Sequence, residues 1–356
     1  MTGTFGRRGG RMLVGGVTAG LIAASIIAGP VGAQSPAAGA PDPTICAGKN
    51  VAFASVQPRG DKSVVDDSFN GLERTKAELG VAQTTFVEAL DPATYESTLT
   101  ALANAGNNII VGNFAGMTEP MKAVAPQFPD VRFVHIYADP IDPPIANLRT
   151  VSYNYYHAAY LSGMQAAAVS NTGTIGFEAG MYIPGINADY WAYKAGAESI
   201  NPDIKVLSGE VGSFSDDVKA KEVVSAIISQ GADVIFVDGP NVGGIDAAKE
   251  KGAFVQHGTP GLIERAPELT IGVPLVSFGE STFDEVAAAC AADWAGGHTA
   301  SGLGDGAIGF YVDEQFLAAG DPAVVAKVEA ILPQIEDTKA KIGSGEMTIE
   351  FKTDNP

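Results

Sequence analysis

The 356-residue sequence is poor in the side chains that carry most enzyme chemistry: it has two Cys, four His and two Trp, with aromatics at 8% and charged residues at 18%. Two Cys cannot build a zinc pattern, and none of His135, His157, His257 and His298 stands at metal-ligand spacing from another. No G-x-S-x-G nucleophile elbow is present. The segment GPNVGG, Gly239–Gly244, lacks both the Walker Lys–Ser/Thr pair and the G-x-G-x-x-G spacing, which argues against a phosphate loop. Positive charge is scarce: 22 Lys and Arg against 41 Asp and Glu give a formal charge of -19, and no basic patch is offered to nucleic acid. The acidity reads as surface solubility. Carboxylates are many, yet no pair stands out for acid–base work, so neither an enzyme nor a cofactor or metal is expected.

What is present begins with a basic start, Arg7, Arg8 and Arg11, then the uncharged, mostly apolar run Met12–Gly29 and the small residues Val31, Gly32 and Ala33. This is the pattern of an export signal cleaved after Ala33, giving residues 1–33 as signal peptide. A membrane anchor is the alternative, but the many Gly and Ala make a weak permanent span. The residues around Arg7 and Arg8 fit a twin-arginine motif poorly. Cys46 follows Thr44 and Ile45 rather than a lipobox, so the mature chain is expected free and soluble, in the periplasm or at the cell exterior. In that compartment Cys46 and Cys290 are candidates for one disulfide, with two buried free thiols as the alternative.

After a Pro/Ala/Gly linker, residues 34–45, short β-branched runs alternate with helical stretches, which predicts an α/β fold of parallel sheets with covering helices. The pattern then repeats. LANAGNNIIVGNF is echoed by IISQGADVIFVDG, each a helix, a Gly stop, a buried strand and a polar loop. We read lobe 1 over 46–153, lobe 2 over 154–275, a return to lobe 1 and hinge crossing over 276–320, and a C-terminal helix and tail over 321–356. Two doubly wound lobes place a cleft beyond the carboxyl ends of their strands. The loops predicted there are 57–68, 89–93, 112–118, 137–144, 179–188, 211–216, 238–244 and 257–261. Phe114, Tyr137, Tyr182 and Phe214 sit at strand ends, where a flat ligand could stack or the rings could simply pack. Asn241 and the backbone around it are placed to meet a neutral ligand. His257 ends a lobe-2 strand and is a cleft candidate, whereas His135 reads as a core residue.

The segments GDKSVVDDSFNGLERTKAELG, GMTEPMKAVAPQFPDVRF, HAAYLSGMQAAAVSNTGTIGF, GSFSDD and QGADVIFVDGPNVGGIDAAKEKG together resemble the basic membrane protein family, over most of residues 48–350. The resemblance implies a type I periplasmic binding fold and the role of a substrate-binding protein of an ABC importer. Characterised members bind purine nucleosides or bases, with a first loop that reads GDKSFND. Asp61, Lys62, Ser63 and Asp66 match it. Val64 and Val65 stand where the family has the Phe that stacks on the base and the Asn that bonds to it. Phe214 keeps the second stacking ring. The family's ribose-holding Asp falls near Thr259 and its Lys near Gly279, so both are lost. The stretch GMTEPMKAVAPQFPDVRFVHIYAD is closer to a branch that looks like nucleobase binders. That implies a ring without ribose between Phe214 and Tyr137 or Phe114, with Asn113, Asn187, Asn241 and Glu119 as polar partners.

These readings converge on an exported, monomeric binding protein that captures a small ring compound, a purine nucleobase or nucleoside-like solute, and hands it to an ABC permease in the membrane. A ligand sensor for a receptor and a nucleoside-processing enzyme are the rivals. A DNA-binding regulator of the same fold is disfavoured by the export signal.

Overall fold

The computed structural model describes residues 42–61, 63–239 and 241–356; the expected signal, residues 34–41 of the linker, and Lys62 lie outside them. The β-branched runs form strands buried on both faces, and each Gly-terminated amphipathic stretch covers them. In chain order the elements are β1 (Asn50–Ser55), α1 (Val64–Glu78), β2 (Gln83–Glu88), α2 (Tyr95–Asn104), β3 (Ile109–Asn113), α3 (Thr118–Val124), β4 (Arg132–Ile136) and β5 (Leu148–Tyr153). There follow α4 (Tyr156–Val169), β6 (Thr174–Ala179), α5 (Pro184–Ile200), β7 (Lys205–Glu210), α6 (Asp217–Ser229), β8 (Val234–Asp238), α7 (Val242–Lys251), β9 (Phe254–His257) and β10 (Thr270–Val276). The chain ends with α8 (Phe278–Cys290), β11 (Gly297–Ser301), β12 (Ile308–Tyr311), α9 (Glu314–Ala319) and α10 (Pro322–Gly343).

Two six-stranded sheets result, with orders β11-β5-β4-β3-β1-β2 and β12-β10-β9-β8-β6-β7. The first is parallel throughout; in the second only the edge strand β12 runs antiparallel, against β10. Parallel order requires a crossover helix between successive strands, and this gives the doubly wound form of each lobe. The chain passes between the sheets at β5–α4, at β10–α8 and at β11–β12. This is the two-lobed type I periplasmic binding-protein architecture.

Packing details follow from small residues. In α4 and α5 a methyl group on Gly163 would overlap the Tyr193 carbonyl, and one on Gly196 the Tyr160 carbonyl, so these backbones touch. In lobe 1, Gly71 of α1 meets the Gly279 backbone of α8, and the Asp67 carboxylate accepts the Gly279 N–H at 2.8 Å. Cys46 and Cys290 are joined as a disulfide, with their Cα atoms 5.3 Å apart. It pins the start of the described chain to the end of α8. Lobe 2 carries α10 instead, whose Val324, Val328, Ile331 and Ile335 bury against the core around α4.

Candidate ligand-binding site

The carboxyl ends of the strands in each lobe give the cleft its two walls. On the lobe-1 side, β3 and β4 each end in an aromatic residue with a left-handed backbone, Phe114 at φ 62° and Tyr137 at φ 59°. That conformation is costly for a bulky residue. It is held here by the Phe114 N–H on the Ile136 carbonyl at 3.1 Å and by His135 Nε2 against the Phe114 carbonyl at 2.9 Å. The two rings meet edge to face at 5.3 Å. Tyr137 also lies 5.9 Å from both Tyr153 and Phe278, which come from the two crossing segments. Even so it stays 47% exposed, so it is a ring presented by an aromatic cluster rather than one lost in a core.

On the lobe-2 side, the loop after β7 folds back through Gly212 and Ser213 N–H bonds to the Gly180 carbonyl at 2.8 and 2.9 Å. This lays the Phe214 ring across the ends of β6 and β8. A methyl group on Gly180 would overlap that ring, and one on Gly239 would press against it at 3.3 Å. The same strand ends carry Glu178 of β6, Asp238 at the end of β8, Asn241 at the N-terminus of α7 and His257 at the end of β9, with Asp189 of α5 beside Asp238, all buried. Asn241 Nδ2 donates to Glu178 Oε1 at 2.8 Å. Glu178 also meets the Asp238 backbone, the Asp238 carboxyl meets that of Asp189, and His257 meets the Thr259 backbone, whereas Asn241 Oδ1 has no protein partner. Native interiors leave few such atoms unpaired.

Desolvation dominates the electrostatics of this wall. It pushes the Glu178 carboxyl up to about 8. Burial also raises Asp189 and Asp238, which face each other closely enough for one to repel ionisation of the other. His257 is driven down to about 4 by burial and is neutral at physiological pH. Across the cleft, Tyr137 is half-exposed as a residue, yet the protein crowded around its phenol, and then the charges of Asp189 and Asp238, push it upward. Tyr155, at the start of the crossing helix, is raised by burial and then by the same two acids. The acid pair is therefore common ground to both lobes and the hinge. Among the described residues, no Lys or Arg acts on Glu178, Asp189 or Asp238.

The residues predicted from sequence fall into three groups. Phe114, Tyr137, Phe214, Asn241 and His257 come together at the strand ends just described. Asp61, Asn113 and Asn187 are there or nearby but have structural partners. The Asp61 carboxylate accepts the N–H groups of Ser63, Val65 and Asp66 at 3.0, 2.9 and 3.1 Å, and so starts α1 at Val64. The loop expected over 57–68 is shorter for that reason. Ser63 sits at the N-cap without a side-chain capping bond, Val64 is half-buried, and Val65 is fully buried behind it. Asn113 holds the ends of β3 and β1 together, accepting from Val56 N at 3.0 Å and donating to Ser55 Oγ at 3.3 Å. Asn187 donates to the Thr353 carbonyl at 2.8 Å and to Asn355 Oδ1 at 3.0 Å, fastening the C-terminal tail to α5. Tyr182 and Glu119 turn aside, Tyr182 to Ser208 Oγ at 3.2 Å and Glu119 to Lys122 at 2.8 Å. A side chain at Gly279 would collide with Asp67, so the return segment has no room there for the family's Lys.

Residues 48–340 match the family model described as ABC transporter substrate-binding protein, PnrA-like. The chain belongs to that family. Its members bind solutes rather than transform them. A purine-binding protein of Brucella abortus is 26% identical over 299 residues, which is 83% of this chain and 81% of that protein. Basic membrane protein A2 of Borrelia garinii is 32% identical over 198 residues, covering 54% of this chain and 58% of the Borrelia protein. The matched region thus spans little more than half the length of that relative. Among solved structures, an ABC-transporter solute-binding protein of Aeropyrum pernix is 24% identical with a TM-score of 0.69, covering 86% of this chain and 94% of that one. A second, from Conexibacter woesei, is 20% identical with a TM-score of 0.70, covering 86% of this chain and all of that one. At those identities the structural likeness speaks for the fold alone.

Sequence reading did not single out Asp238, Asp189 and Glu178. The available signal was a carboxylate inside or ending a run otherwise wholly apolar, as in TIGFEA and VIFVD.

Proposed function

We propose that this protein is the exported solute-binding component of an ABC importer, and that it closes its lobes on a small nitrogen-containing ring compound of the purine nucleobase type. The Phe214 ring, packed against Gly180 and Gly239 at the strand ends of lobe 2, with the Phe114 and Tyr137 rings at the strand ends of lobe 1, carries the proposal. A ring platform with buried polar groups at the same strand ends binds a flat, polar heterocycle better than a sugar or an aliphatic amino acid. Family membership supports delivery to a membrane permease, and a relative named for purine binding supports the ring class. The absence of room for a side chain at Gly279 favours a base over a nucleoside, since the family's ribose-holding Lys has no counterpart.

A thermal-shift panel of free bases, nucleosides, sugars and amino acids tests this. A ligand at a hundred times its dissociation constant adds about 2.7 kcal/mol, enough to move the midpoint by several degrees. Phe214→Ala is expected to weaken the best ring ligand at least tenfold, about 1.4 kcal/mol. An unchanged affinity in that variant would remove the stacking platform from the account.

A further inference from the structure

Resting on the proposed ring-binding cleft, we infer that His135 is a positioning residue of the site: from within the core it holds Phe114, and through it Tyr137, in the backbone conformation that presents both rings as the lobe-1 wall. Among the described residues, Phe114 and Tyr137 are the two non-glycine residues with positive φ, and they stand at the ends of adjacent strands, β3 and β4. Strain of this kind persists only where the surroundings fix it, and it gathers at functional sites. Lobe 2 shows the unstrained alternative. The residue after β8 that corresponds to Phe114 is Gly239, which takes a φ of 142° with no side chain to crowd. Lobe 1 has a positive φ at the same point and puts a phenylalanine there, so the ring is kept at a cost to the backbone.

The peptide planes on either side of a residue set its φ and ψ, and hydrogen bonds pin those planes at both positions. The Phe114 N–H donates to the Ile136 carbonyl at 3.1 Å, which fixes the plane before Phe114 and the plane before Tyr137 together. The Ala138 N–H, on the Val151 carbonyl at 2.9 Å, fixes the plane after Tyr137. The plane after Phe114 depends on its own carbonyl. That oxygen accepts from the Met117 N–H at 3.0 Å and meets His135 Nε2 at 2.9 Å. The Met117 bond lies within the turn and moves with it, so the His135 bond is the one that ties this plane to β4. A carbonyl oxygen can only accept, so Nε2 carries the ring proton, and burial disfavours a second one. His135 is fully buried on an interior strand, which gives the donor a fixed position. Its lobe-2 equivalent in register, His257, meets the Thr259 backbone instead, in the lobe where Gly239 needs no holding.

The test is titration calorimetry with adenine on the purified protein and its variants, each first shown to be folded by its urea transition. His135→Leu removes the donor at similar volume and is expected to weaken adenine about tenfold. His135→Gln keeps a donor nitrogen at similar reach and is expected to stay within about threefold of the parent. Phe114→Gly takes the same φ without strain but lacks the ring, and should also lose about tenfold. Adding His135→Leu to Phe114→Gly should then cost less than about threefold more, because the ring that His135 places is already gone. Unchanged affinity in His135→Leu would overturn the inference. So would equal losses in the Leu and Gln variants, or a full tenfold loss from His135→Leu in the Phe114→Gly background. If His135→Leu does not fold alone, recovery of folding in the Phe114→Gly background upholds the link, and no recovery overturns it. If the parent binds no adenine, the purine reading falls, and hydrogen exchange in the ligand-free protein decides the role of His135. Faster exchange at the Phe114 and Ala138 amides in His135→Leu than in His135→Gln upholds it, and equal exchange overturns it.

Discussion

The two lobes share one strand order, and their registers align residue with residue, yet they have been given opposite chemistry. In lobe 1, Ala54 stands beside Gly112, and Gly112 beside His135; in lobe 2 the same row is Glu178, Val237 and His257. The next position, the last of the central strand, is Asn113 in one and Asp238 in the other. Every lobe-1 polar group in this row that could stand empty does some structural work: Asn113 ties β3 to β1, and His135 Nε2 holds the Phe114 carbonyl. Their lobe-2 counterparts, Glu178, Asp238 and His257, are ionisable and buried, and desolvation holds each toward its neutral form. Two copies of one topology thus differ in where they carry buried ionisable groups. The fold sets where strand ends converge, but only the side chains at those ends decide which lobe recognises the solute.

The largest effect expected from breaking this comparison concerns how each lobe is held closed. Lobe 1 is stapled by Cys46–Cys290 across a sequence separation of 244, and lobe 2 is covered by α10 without any covalent tie. Closing so long a loop restricts the unfolded chain by up to about 5 kcal/mol, and removal of a native disulfide typically costs about 2–5 kcal/mol. Replacing both Cys with Ala is therefore expected to lower the urea midpoint substantially, with hydrogen exchange rising first in α8 and β1. If exchange rises equally in the two lobes, the staple is not local to lobe 1.

The row itself predicts effects of opposite sign at equivalent positions. Asn113→Ala strips the part-buried Val56 N–H of its acceptor and empties the buried site of the amide, and should destabilise the protein by about 2 kcal/mol. Asp238→Asn keeps the shape but removes a carboxylate forced against Asp189, and should stabilise the ligand-free protein by about 1 kcal/mol or more at pH 8. Chemical denaturation of both variants checks the pair. Losses of similar size at both positions would mean that Asp238, like Asn113, is a structural residue.

Much of this division could be read from the chain, and the exceptions have physical causes. The repeated helix–Gly–strand–loop unit is strong because a buried parallel strand needs an unbroken β-branched run. The outer strands were harder to see. LRTVSY in β5 alternates polar residues, and TIGVPLV in β10 contains Pro274, which suits the segment next to the antiparallel edge but weakens it as a strand signal. Phe114, Tyr137 and Phe214 were legible because an aromatic after a strand is out of place in a polar loop. Asp189, Asp238 and Glu178 were not, because they converge from α5, β8 and β6, and only the fold shows that they share one desolvated pocket. Asp61 was legible as a motif residue, but that it spends its carboxylate on starting α1 is visible only in three dimensions.

The smallest expected effect sharpens the comparison most finely, through pH. Glu178 occupies the position of the inert Ala54, and desolvation raises its carboxyl from 4.5 to about 8 in the fold. Between those two values the folded protein holds a proton that the unfolded chain has released, so stability falls as pH rises through that window and levels off above it. Glu178→Gln cannot titrate, and its Oε1 can still accept from Asn241 Nδ2. The variant should therefore match the parent near pH 4 and gain on it steadily up to about pH 8. The gain should be about 1 kcal/mol, because local relaxation around a buried charge leaves only part of the full desolvation cost. Thermal midpoints of the two proteins measured from pH 4 to pH 9 give the difference curve directly. A flat difference would mean that the Glu178 carboxyl is as well solvated in the fold as in the unfolded chain. It would also mean that lobe 2 carries no stored electrostatic cost for a ligand to relieve.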